Sequence, residues 1–411
     1  MHRLLNLIVI FWVSSIQASV VPGIEVLLTV QHQKEIAGKR VGLITNHTGV
    51  TREMDSSVEL LKANQSKWGY KLAALFAPEH GIDGAGHAWD HIHDRVDASG
   101  IPIFSLHGTT RRPTEEMLKA VDVIVYDIQD IGSRSYTYIS TLFYTMEEAA
   151  KYKIPVIVAD RPNPINGLTV DGPMMEDKWR SMVGYINVPY CHGMTVGELA
   201  QLFNEEYKIG CKLTVVPMSG WKRQMTFSDT GLPWIPTSPN IPEPSTPYYY
   251  PMTGILGELQ IVSIGIGYPL PFKVLGAPWI DAPTFAAKLN TQGLPGVRFQ
   301  PYYFKPFYGK YKHESCQGVL IVVNDHKKFK PVTTQFVIMG LLKSLYPNEF
   351  LKALKGAKNR EEMFAKVNGT AAVFQILKEK PYVAWELRGF QQKEREAFLK
   401  KRNRYLIKSY S

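Results

Sequence analysis

Ionisable and polar residues recur in short groups, and each group directly follows a run of apolar residues. Asn46 and His47 follow one run, Glu79 and His80 follow the next, and a third group begins at His107. Ordinary turns need Gly, Pro, Asn and Asp, but they do not need His, Glu, Arg and Gln repeatedly. The recurrence therefore predicts a functional site at which these groups converge.

Two further groups follow later apolar runs and add carboxylates and guanidinium groups. The first is Asp127-Ile128-Gln129-Asp130, with Arg134 close behind it, and the second is Asp160-Arg161-Pro162-Asn163. Two carboxyl groups that face each other across a crevice are what acid-catalysed glycoside cleavage requires. We therefore predict three catalytic carboxylates, with helix capping or ion pairing as the alternative role of each: Glu79, Asp127 and Asp130.

Glu79 is the favoured proton donor, because it follows the apolar Leu75-Phe76-Ala77 segment and lies between Pro78 and His80. Burial of a carboxyl group favours its protonated form, which suits it to protonate a leaving oxygen. Arg134 and Arg161 could hold an anionic substrate group bidentately. Aromatic residues nearby could stack on a sugar ring, with simple packing as the alternative: Tyr136, Tyr138 and Trp89.

Other chemistries find less support in the sequence. No G-x-G-x-x-G cradle follows the first apolar run, no Walker lysine motif occurs, and no G-x-S-x-G elbow is present. His80, His87, His91 and His93 crowd one segment, but its glycines indicate a loop and no His-Glu-x-x-His motif occurs. We therefore predict neither a cofactor nor a metal site.

The elements that must position these groups alternate between short β-branched runs and longer amphipathic stretches. Strands are predicted at 41–45, 72–77, 101–106, 121–126, 155–159 and 213–216, and helices at 55–63, 113–120, 142–151 and 195–207. This alternation is typical of a parallel sheet, and the nearly continuous apolar strands indicate helices on both faces. The expected fold is α/β, with a Rossmann-like, doubly wound, mainly parallel sheet whose strand ends carry the polar groups.

A smaller α+β domain is predicted to follow. The stretch at 219–251 is rich in Trp, Pro and Ser, which favours an ordered loop. Strands are then predicted within 250–281 and at 297–304 and 318–323, and helices at 334–345 and 386–405. The predicted partition is a signal peptide at 1–18, a catalytic domain at 19–250 and a C-terminal domain at 251–411.

The N-terminus predicts export to the periplasm or the extracellular space. The apolar run at 4–13 follows Arg3 and precedes Ser14, Ser15 and Ala18, which is typical of a secretory signal peptide. An uncleaved anchor is the alternative, although about ten apolar residues are too few to cross a bilayer of roughly 30 Å. We expect no stable membrane span once the signal is removed. With only three cysteines, at most one disulfide can form.

Composition and charge limit the class of protein and the kinds of partner that are expected. The chain has 411 residues, 45% of them hydrophobic and 20% charged, which excludes a fibre, a disordered chain and a multi-span membrane protein. The net charge is +10, but residues 301–411 alone carry 22 Lys and Arg against 9 Asp and Glu. A basic C-terminal part favours a polyanionic neighbour, and export makes nucleic acid the least suitable of these.

Several motifs in this order resemble a known family, the exo-acting β-N-acetylmuramidases called NamZ. The similarity covers nearly the whole mature chain and rests on these segments: Gly42-Leu43-Ile44-Thr45-Asn46-His47-Thr48-Gly49, Pro78-Glu79-His80-Gly81, Asp127-Ile128-Gln129-Asp130-Ile131-Gly132-Ser133-Arg134, Tyr136-Thr137-Tyr138, Asp160-Arg161-Pro162-Asn163-Pro164, His192-Gly193-Met194-Thr195-Val196-Gly197-Glu198-Leu199 and Gly276-Ala277-Pro278-Trp279-Ile280.

The resemblance implies removal of terminal N-acetylmuramic acid from peptidoglycan fragments, with Glu79 as the acid/base residue. The lactyl carboxylate of muramic acid supplies a reason for Arg134 or Arg161 in the pocket. The predicted substrate-binding residues are Asn46, His47, His80, Gln129, Arg134, Tyr136, Tyr138, Asp160, Arg161, Asn163, His192 and Glu258.

This chain departs from the family in one stretch. Glu258 keeps the first Glu of the family's charged segment, but Ile264 and Ile266 occupy its second Glu and its Arg positions. A changed substrate or a loss of turnover would follow from the missing charges. A non-catalytic protein that binds muropeptides or cell-wall glycan is therefore the alternative to an exo-acting glycosidase.

Overall fold

The structure is a computed structural model that describes residues 19–86 and 90–411. The predicted signal peptide at 1–18, together with His87 and Trp89, lies outside the described residues. Within the described ranges, no helix is both long and apolar enough to cross a membrane.

The N-terminal lobe is built on a seven-stranded sheet in the order β3-β4-β2-β1-β5-β6-β7. All neighbouring strands are parallel except the β3–β4 pair at one edge. The order in which strands are added to the sheet reverses between β1 and β5, which is where ligands bind in doubly wound sheets. The predicted Rossmann-like fold is thus confirmed. The strands are β1 Arg40–Thr45, β2 Lys71–Ala77, β3 Arg95–Val96, β4 Pro102–Ser105, β5 Val123–Asp127, β6 Val156–Ala159 and β7 Leu213–Val216.

Helices cover this sheet and begin where the sequence supplies caps. The Thr114 hydroxyl accepts a hydrogen bond from the Met117 amide at 3.3 Å, which fixes the start of α4. Thr195 and Glu198 form a reciprocal capping box at the start of α6. The helices of this lobe are α1 Gly23–Leu27, α2 Gln33–Ile36, α3 Ser57–Trp68, α4 Glu115–Lys119, α5 Tyr138–Lys151 and α6 Val196–Glu206.

The C-terminal lobe combines a small antiparallel sheet with helices, as predicted. Its strands are β8 Val274–Ala277, β9 Val297–Phe304 and β10 Cys316–Val323, in the order β8-β10-β9. Its helices are α7 Thr246–Glu258, α8 Ala282–Asn290, α9 Pro331–Leu345, α10 Pro347–Gly356, α11 Glu361–Asn368, α12 Ala372–Glu379, α13 Val383–Arg388 and α14 Gln392–Arg402. Short 3₁₀ turns occur at Asp177–Trp179, Phe227–Thr230, Lys358–Arg360 and Lys408–Tyr410.

Two predicted boundaries were wrong. The proline-rich stretch at 219–251 does not stay a loop to its end, because α7 begins at Thr246. Pro247 lies in its first turn, where a missing amide costs nothing, and Pro251 is accommodated inside a buried helix. The helix predicted at 386–405 is two helices, since Gln391 adopts a φ of 53° between α13 and α14.

The last residues of the chain return to the N-terminal lobe. The Tyr410 hydroxyl donates to Asp160 at 2.7 Å, and the Arg402 guanidinium donates to the Gly193 carbonyl at 2.7 Å. Lys401 pairs with Glu206 at 3.2 Å. This C-terminal segment therefore joins the two lobes, in addition to the connection that precedes α7.

Candidate active site

A cavity of about 870 Å³ lies between the two lobes. The N-terminal lobe contributes residues that follow β2 and β5, and the C-terminal lobe contributes the end of α7 and the loops around it. Its lining includes Glu79, His80, Ser135, Tyr136, Thr137, Asn240, Tyr250, Glu258, Val262, Ile264, Ile266, Tyr308, Lys310, Arg360 and Met363. Of the predicted site residues, Glu79, His80, Tyr136 and Glu258 meet here.

Glu79 lies immediately beyond the end of β2 and is only 6% exposed. The Thr137 hydroxyl, at the start of α5, donates a hydrogen bond to its Oε2 atom. On the other side, the His107 Nε2 atom lies 3.7 Å from Oε1. Burial lowers the pKa of His107, with the Glu79 carboxylate opposing that effect. The Glu79 carboxyl group is thus held in one orientation at the cavity wall.

His80 takes a left-handed backbone conformation, with a φ of 71°. Residues other than Gly are uncommon in this region, although His adopts it more readily than most. Its Nδ1 atom lies 2.8 Å from the Gly86 carbonyl, and its ring packs edge-on against Tyr138. These contacts hold the turn after β2 against Tyr138.

Tyrosine rings form the wall beside Glu79. The Tyr136 ring lies 5.0 Å from Tyr138 and 6.0 Å from Tyr250, in edge-on contact with each. The Tyr136 hydroxyl donates to the Thr237 hydroxyl at 2.8 Å, and the Tyr138 hydroxyl donates to the Thr237 carbonyl at 2.7 Å. Tyr136 lines the cavity, whereas Tyr138 is fully buried behind it.

Glu258, the last residue of α7, supplies a second carboxyl group from the opposite lobe. Burial raises its pKa, and the nearby Arg360 guanidinium opposes that shift. Burial also raises the pKa of Tyr250 to about 12, and the carboxylates of Glu258 and Glu79 both add to this increase. Both carboxyl groups therefore lie near enough to Tyr250 to act on it electrostatically, and all three residues line the same cavity.

Two isoleucines form an apolar part of the same cavity wall. Ile264 and Ile266 both line the cavity, with Val262 and Met363 beside them. Ile264 packs so closely on Gly257 that a Cβ atom there would lie 2.3 Å from its Cδ1 atom. The segment therefore presents an apolar surface to the cavity.

Asp127 and Arg161 bind each other rather than reaching the cavity. The Arg161 Nε atom donates to Asp127 Oδ1 at 2.5 Å, and a second nitrogen donates to Oδ2 at 2.8 Å. Arg161 also donates to the Val50 carbonyl, and the Ser57 hydroxyl donates to Asp127. Both side chains are almost fully buried, at 4% and 0% exposure. This bidentate pair joins the ends of β5 and β6.

The other predicted polar residues after β1 and β5 form hydrogen bonds with loop residues and do not line the cavity. The Asn46 side chain accepts from the Thr48 amide at 3.0 Å. The Gln129 amide donates to the Pro162 carbonyl at 2.8 Å, and Asp130 accepts from the Gly132 amide at 2.7 Å. Burial raises the pKa of Asp130 to about 7. His47 lies 2.7 Å from the Pro236 carbonyl, and burial lowers its pKa.

Arg134 joins the two lobes through the backbone. Its guanidinium donates to four carbonyls, those of Pro173, Val188, Val367 and Asn368, at 2.7, 2.6, 3.2 and 2.5 Å. The last two carbonyls belong to the C-terminal end of α11. Burial lowers the pKa of Arg134 to about 10, so the group keeps its charge at neutral pH.

Asp160, Asn163 and His192 hold the region around α6. Asp160 accepts from the Thr195 hydroxyl and the Gly197 amide, at 2.7 and 2.8 Å. The Asn163 amide donates to the Met194 carbonyl at 3.0 Å, and His192 Nδ1 accepts from the Met194 amide at 3.2 Å. Burial lowers the pKa of His192 to about 3. None of these side chains lines the cavity.

Sequence reasoning did not select three residues that the structure places at this site: His107, Thr137 and Tyr250. His107 opens a polar group that was recognised, and Thr137 lies between two tyrosines that were selected, so the signal for both was present. Tyr250 lies in the part of α7 that was predicted as a loop. Among the described residues, no group of His, Cys, Asp and Glu is arranged to hold a metal ion.

Comparisons with known proteins give a consistent result. Family models of the exo-beta-N-acetylmuramidase NamZ match residues 41–245 with the N-terminal domain and 248–407 with the C-terminal domain. The peptidoglycan beta-N-acetylmuramidase NamZ of Bacillus subtilis is 44% identical over 329 residues, 80% of this chain and 78% of that protein. Two solved DUF1343 family proteins from Bacteroides fragilis have TM-scores of 0.88 and 0.72, at 43% and 28% identity. Each comparison covers 95% of this chain and 99% of the other.

Proposed function

Because the chain belongs to the NamZ family of exo-β-N-acetylmuramidases, it is a glycosidase, and we propose that it releases terminal N-acetylmuramic acid from peptidoglycan fragments. The observation that carries this proposal is the pair of carboxyl groups, Glu79 and Glu258, that enter one cavity from opposite lobes beside Tyr250. Glycoside cleavage needs two such groups, one to protonate the leaving oxygen and one to act on the sugar ring.

Glu79 is the proposed proton donor. The Thr137 hydroxyl fixes its carboxyl group, and the imidazole beside it is kept neutral by burial. A positioned acid of this kind accelerates bond cleavage by about 10²- to 10⁴-fold.

Glu258 is the proposed second carboxylate. The glycosidic bond breaks through a transition state in which the sugar ring carries positive charge. An ionised carboxylate across the cavity stabilises that charge or activates the attacking water. The alternative carboxylates Asp127 and Asp130 are less suitable, because the first is paired with Arg161 and neither lines the cavity.

The decisive experiment measures turnover and binding in parallel. The purified protein is incubated with a chromogenic β-glycoside of N-acetylmuramic acid and with a disaccharide that carries muramic acid at its non-reducing end. Release of free N-acetylmuramic acid, detected by mass spectrometry, supports the proposal. Binding of the disaccharide without release would instead support a non-catalytic glycan-binding protein, the reading favoured by the uncharged Ile264 and Ile266 wall.

The proposed site of action is outside the cytoplasm. The support is the apolar run at 4–13 and the small residues that follow it, which belong to the undescribed N-terminus. N-terminal sequencing of the protein from a cell-envelope or culture fraction is expected to begin at Ser19. A chain that keeps Met1 and stays in the cytosol would contradict export.

A further inference from the structure

The substrate proposed above carries a carboxylate on its lactyl group, and burial of an unpaired carboxylate is costly. A cation must therefore meet it inside the cavity. Arg134 and Arg161 do not supply that cation, because the first serves four backbone carbonyls and the second is paired with Asp127. The cation must therefore come from the side chains that line the cavity.

Two such side chains are present, and both belong to the C-terminal lobe. Lys310 and Arg360 are the only Lys or Arg residues among the described residues that line the cavity. Neither lies within 4.0 Å of a described carboxylate oxygen, although the Arg360 charge acts on Glu258 and the Lys310 Nζ atom lies 4.6 Å from the centre of the Tyr311 ring. One Arg360 nitrogen donates to the Glu258 carbonyl at 3.3 Å, which uses one of five N–H donors.

Both cations lie close to the apolar part of the wall that Ile264 and Ile266 form. Arg360 lies beside the end of α7, where Ile264 packs against Gly257. The loop that carries Lys310 packs against Ile266, since a Cβ atom on Gly309 would lie 3.2 Å from the Ile266 carbonyl. The apolar segment that carries Ile264 and Ile266 thus has cations beside it that come from two other parts of the lobe.

Resting on the proposed function, we propose that Lys310 and Arg360 bind the substrate's carboxylate and so make the site selective for an acidic amino sugar. Arg360 offers a planar fork that can hold a carboxylate bidentately, and Lys310 adds a second charge on a flexible stem. The carboxylate is bound alike before and during bond cleavage, so its recognition contributes to KM more than to kcat.

The test compares the affinities of free N-acetylmuramic acid and N-acetylglucosamine by calorimetry. In the Lys310→Met/Arg360→Met double variant we expect the affinity for N-acetylmuramic acid to fall about 10- to 150-fold, and that for N-acetylglucosamine to change less than about 3-fold. Arg360→Lys in an otherwise native chain keeps the charge and should keep most of the preference. Matched controls are Lys358→Met, in the same turn as Arg360, and Lys312→Met, close to Lys310, because both lie exposed and outside the cavity lining.

An unchanged preference in a folded double variant, or equal losses on both sugars, would overturn this assignment. Binding is measured without turnover, so the result does not depend on whether the protein cleaves the glycoside. If the native protein prefers N-acetylmuramic acid, the double variant loses that preference and no sugar is released, the carboxylate-binding pair is supported and the proposed function is contradicted.

Discussion

The Glu79 side chain is buried, is held in one orientation by the Thr137 hydroxyl and lies on the cavity wall. Replacement of Glu79 by Gln keeps the size and the acceptor for Thr137 but removes the transferable proton. We expect turnover of a muramic acid glycoside to fall by about 10²-fold or more with the melting temperature nearly unchanged. Glu116→Gln, at an exposed position of α4, is the matched control. Full activity in a folded Glu79 variant would exclude this residue as the acid.

Asp130 makes the stability of the fold depend on pH. Burial raises the pKa of Asp130 to about 7 from an ordinary value of 3.8. Between about pH 4 and pH 7, Asp130 is therefore protonated in the folded chain but ionised in the unfolded chain. Because the folded state binds the extra proton, the free energy of unfolding falls as the pH rises through this range.

Asp130→Asn removes this titration while it keeps the oxygen that accepts from Gly132. We expect the variant to lose less stability than the native protein between about pH 5 and pH 8, as measured by urea unfolding at both values. Some dependence should remain, because burial also raises the pKa of Asp160 to about 7. Asp177→Asn, at an exposed position, should behave like the native chain. Parallel pH curves for the Asp130 variant and the native protein would contradict the expectation.

The sequence located the candidate site more reliably than it assigned single side chains. Glu79 and His80 follow a recognisable strand, so their place at the sheet edge could be predicted. Asp127 and Arg161 satisfy the same pattern, but they lie on neighbouring strands, β5 and β6, and neutralise each other. Only the three-dimensional arrangement shows which charged groups pair internally and which face the cavity.

At the scale of elements, the predicted strands succeeded because β1, β5 and β6 are continuous apolar runs covered on both sides. Helix α7 was missed because its prolines suggest a loop, although one lies in the first turn and burial compensates for the other. The break between α13 and α14 depends on the left-handed Gln391, which no composition rule marks. Tertiary packing decided these elements against their local sequence preference.

The C-terminal end of α11 depends on Arg134. The guanidinium satisfies two terminal carbonyls of this helix and two carbonyls of the N-terminal lobe, and Gly369 leaves room for it. Arg134→Met leaves these buried acceptors without donors, so we expect the free energy of unfolding to fall by about 3 kcal/mol or more. Guanidinium chloride unfolding measures this loss, with the exposed Arg388→Met as control.

The same variant separates a structural role from substrate recognition. If Arg134 only joins the lobes, the remaining folded protein keeps its preference for N-acetylmuramic acid over N-acetylglucosamine. A selective loss of N-acetylmuramic acid binding with little loss of stability would reassign Arg134 to the substrate.

At the scale of the whole molecule, positive charge is concentrated in residues 301–411, which carry 22 Lys and Arg against 9 Asp and Glu. Some of this charge is used internally, because Lys401 and Arg404 pair with Glu206 and Glu205 and Arg402 donates to backbone carbonyls. Many other basic side chains are exposed and pair with no described carboxylate: Lys305, Lys312, Lys352, Lys355, Lys358, Lys378, Lys393 and Lys400. These exposed lysines, together called the cationic surface, suit retention on an anionic wall polymer.

This surface and the cavity should respond differently to salt. Exposed charges are screened over about 8 Å at physiological ionic strength, so sedimentation of the protein with isolated cell walls should weaken steeply as salt is added. Turnover of a small soluble glycoside depends on groups inside a partly desolvated cavity and should change much less over the same salt series. Replacement of Lys352, Lys355 and Lys358 by Gln should lower wall binding without changing that turnover, because none of the three lines the cavity. If wall binding is insensitive to salt, or if both quantities fall together, the exposed lysines serve only as a solvated face.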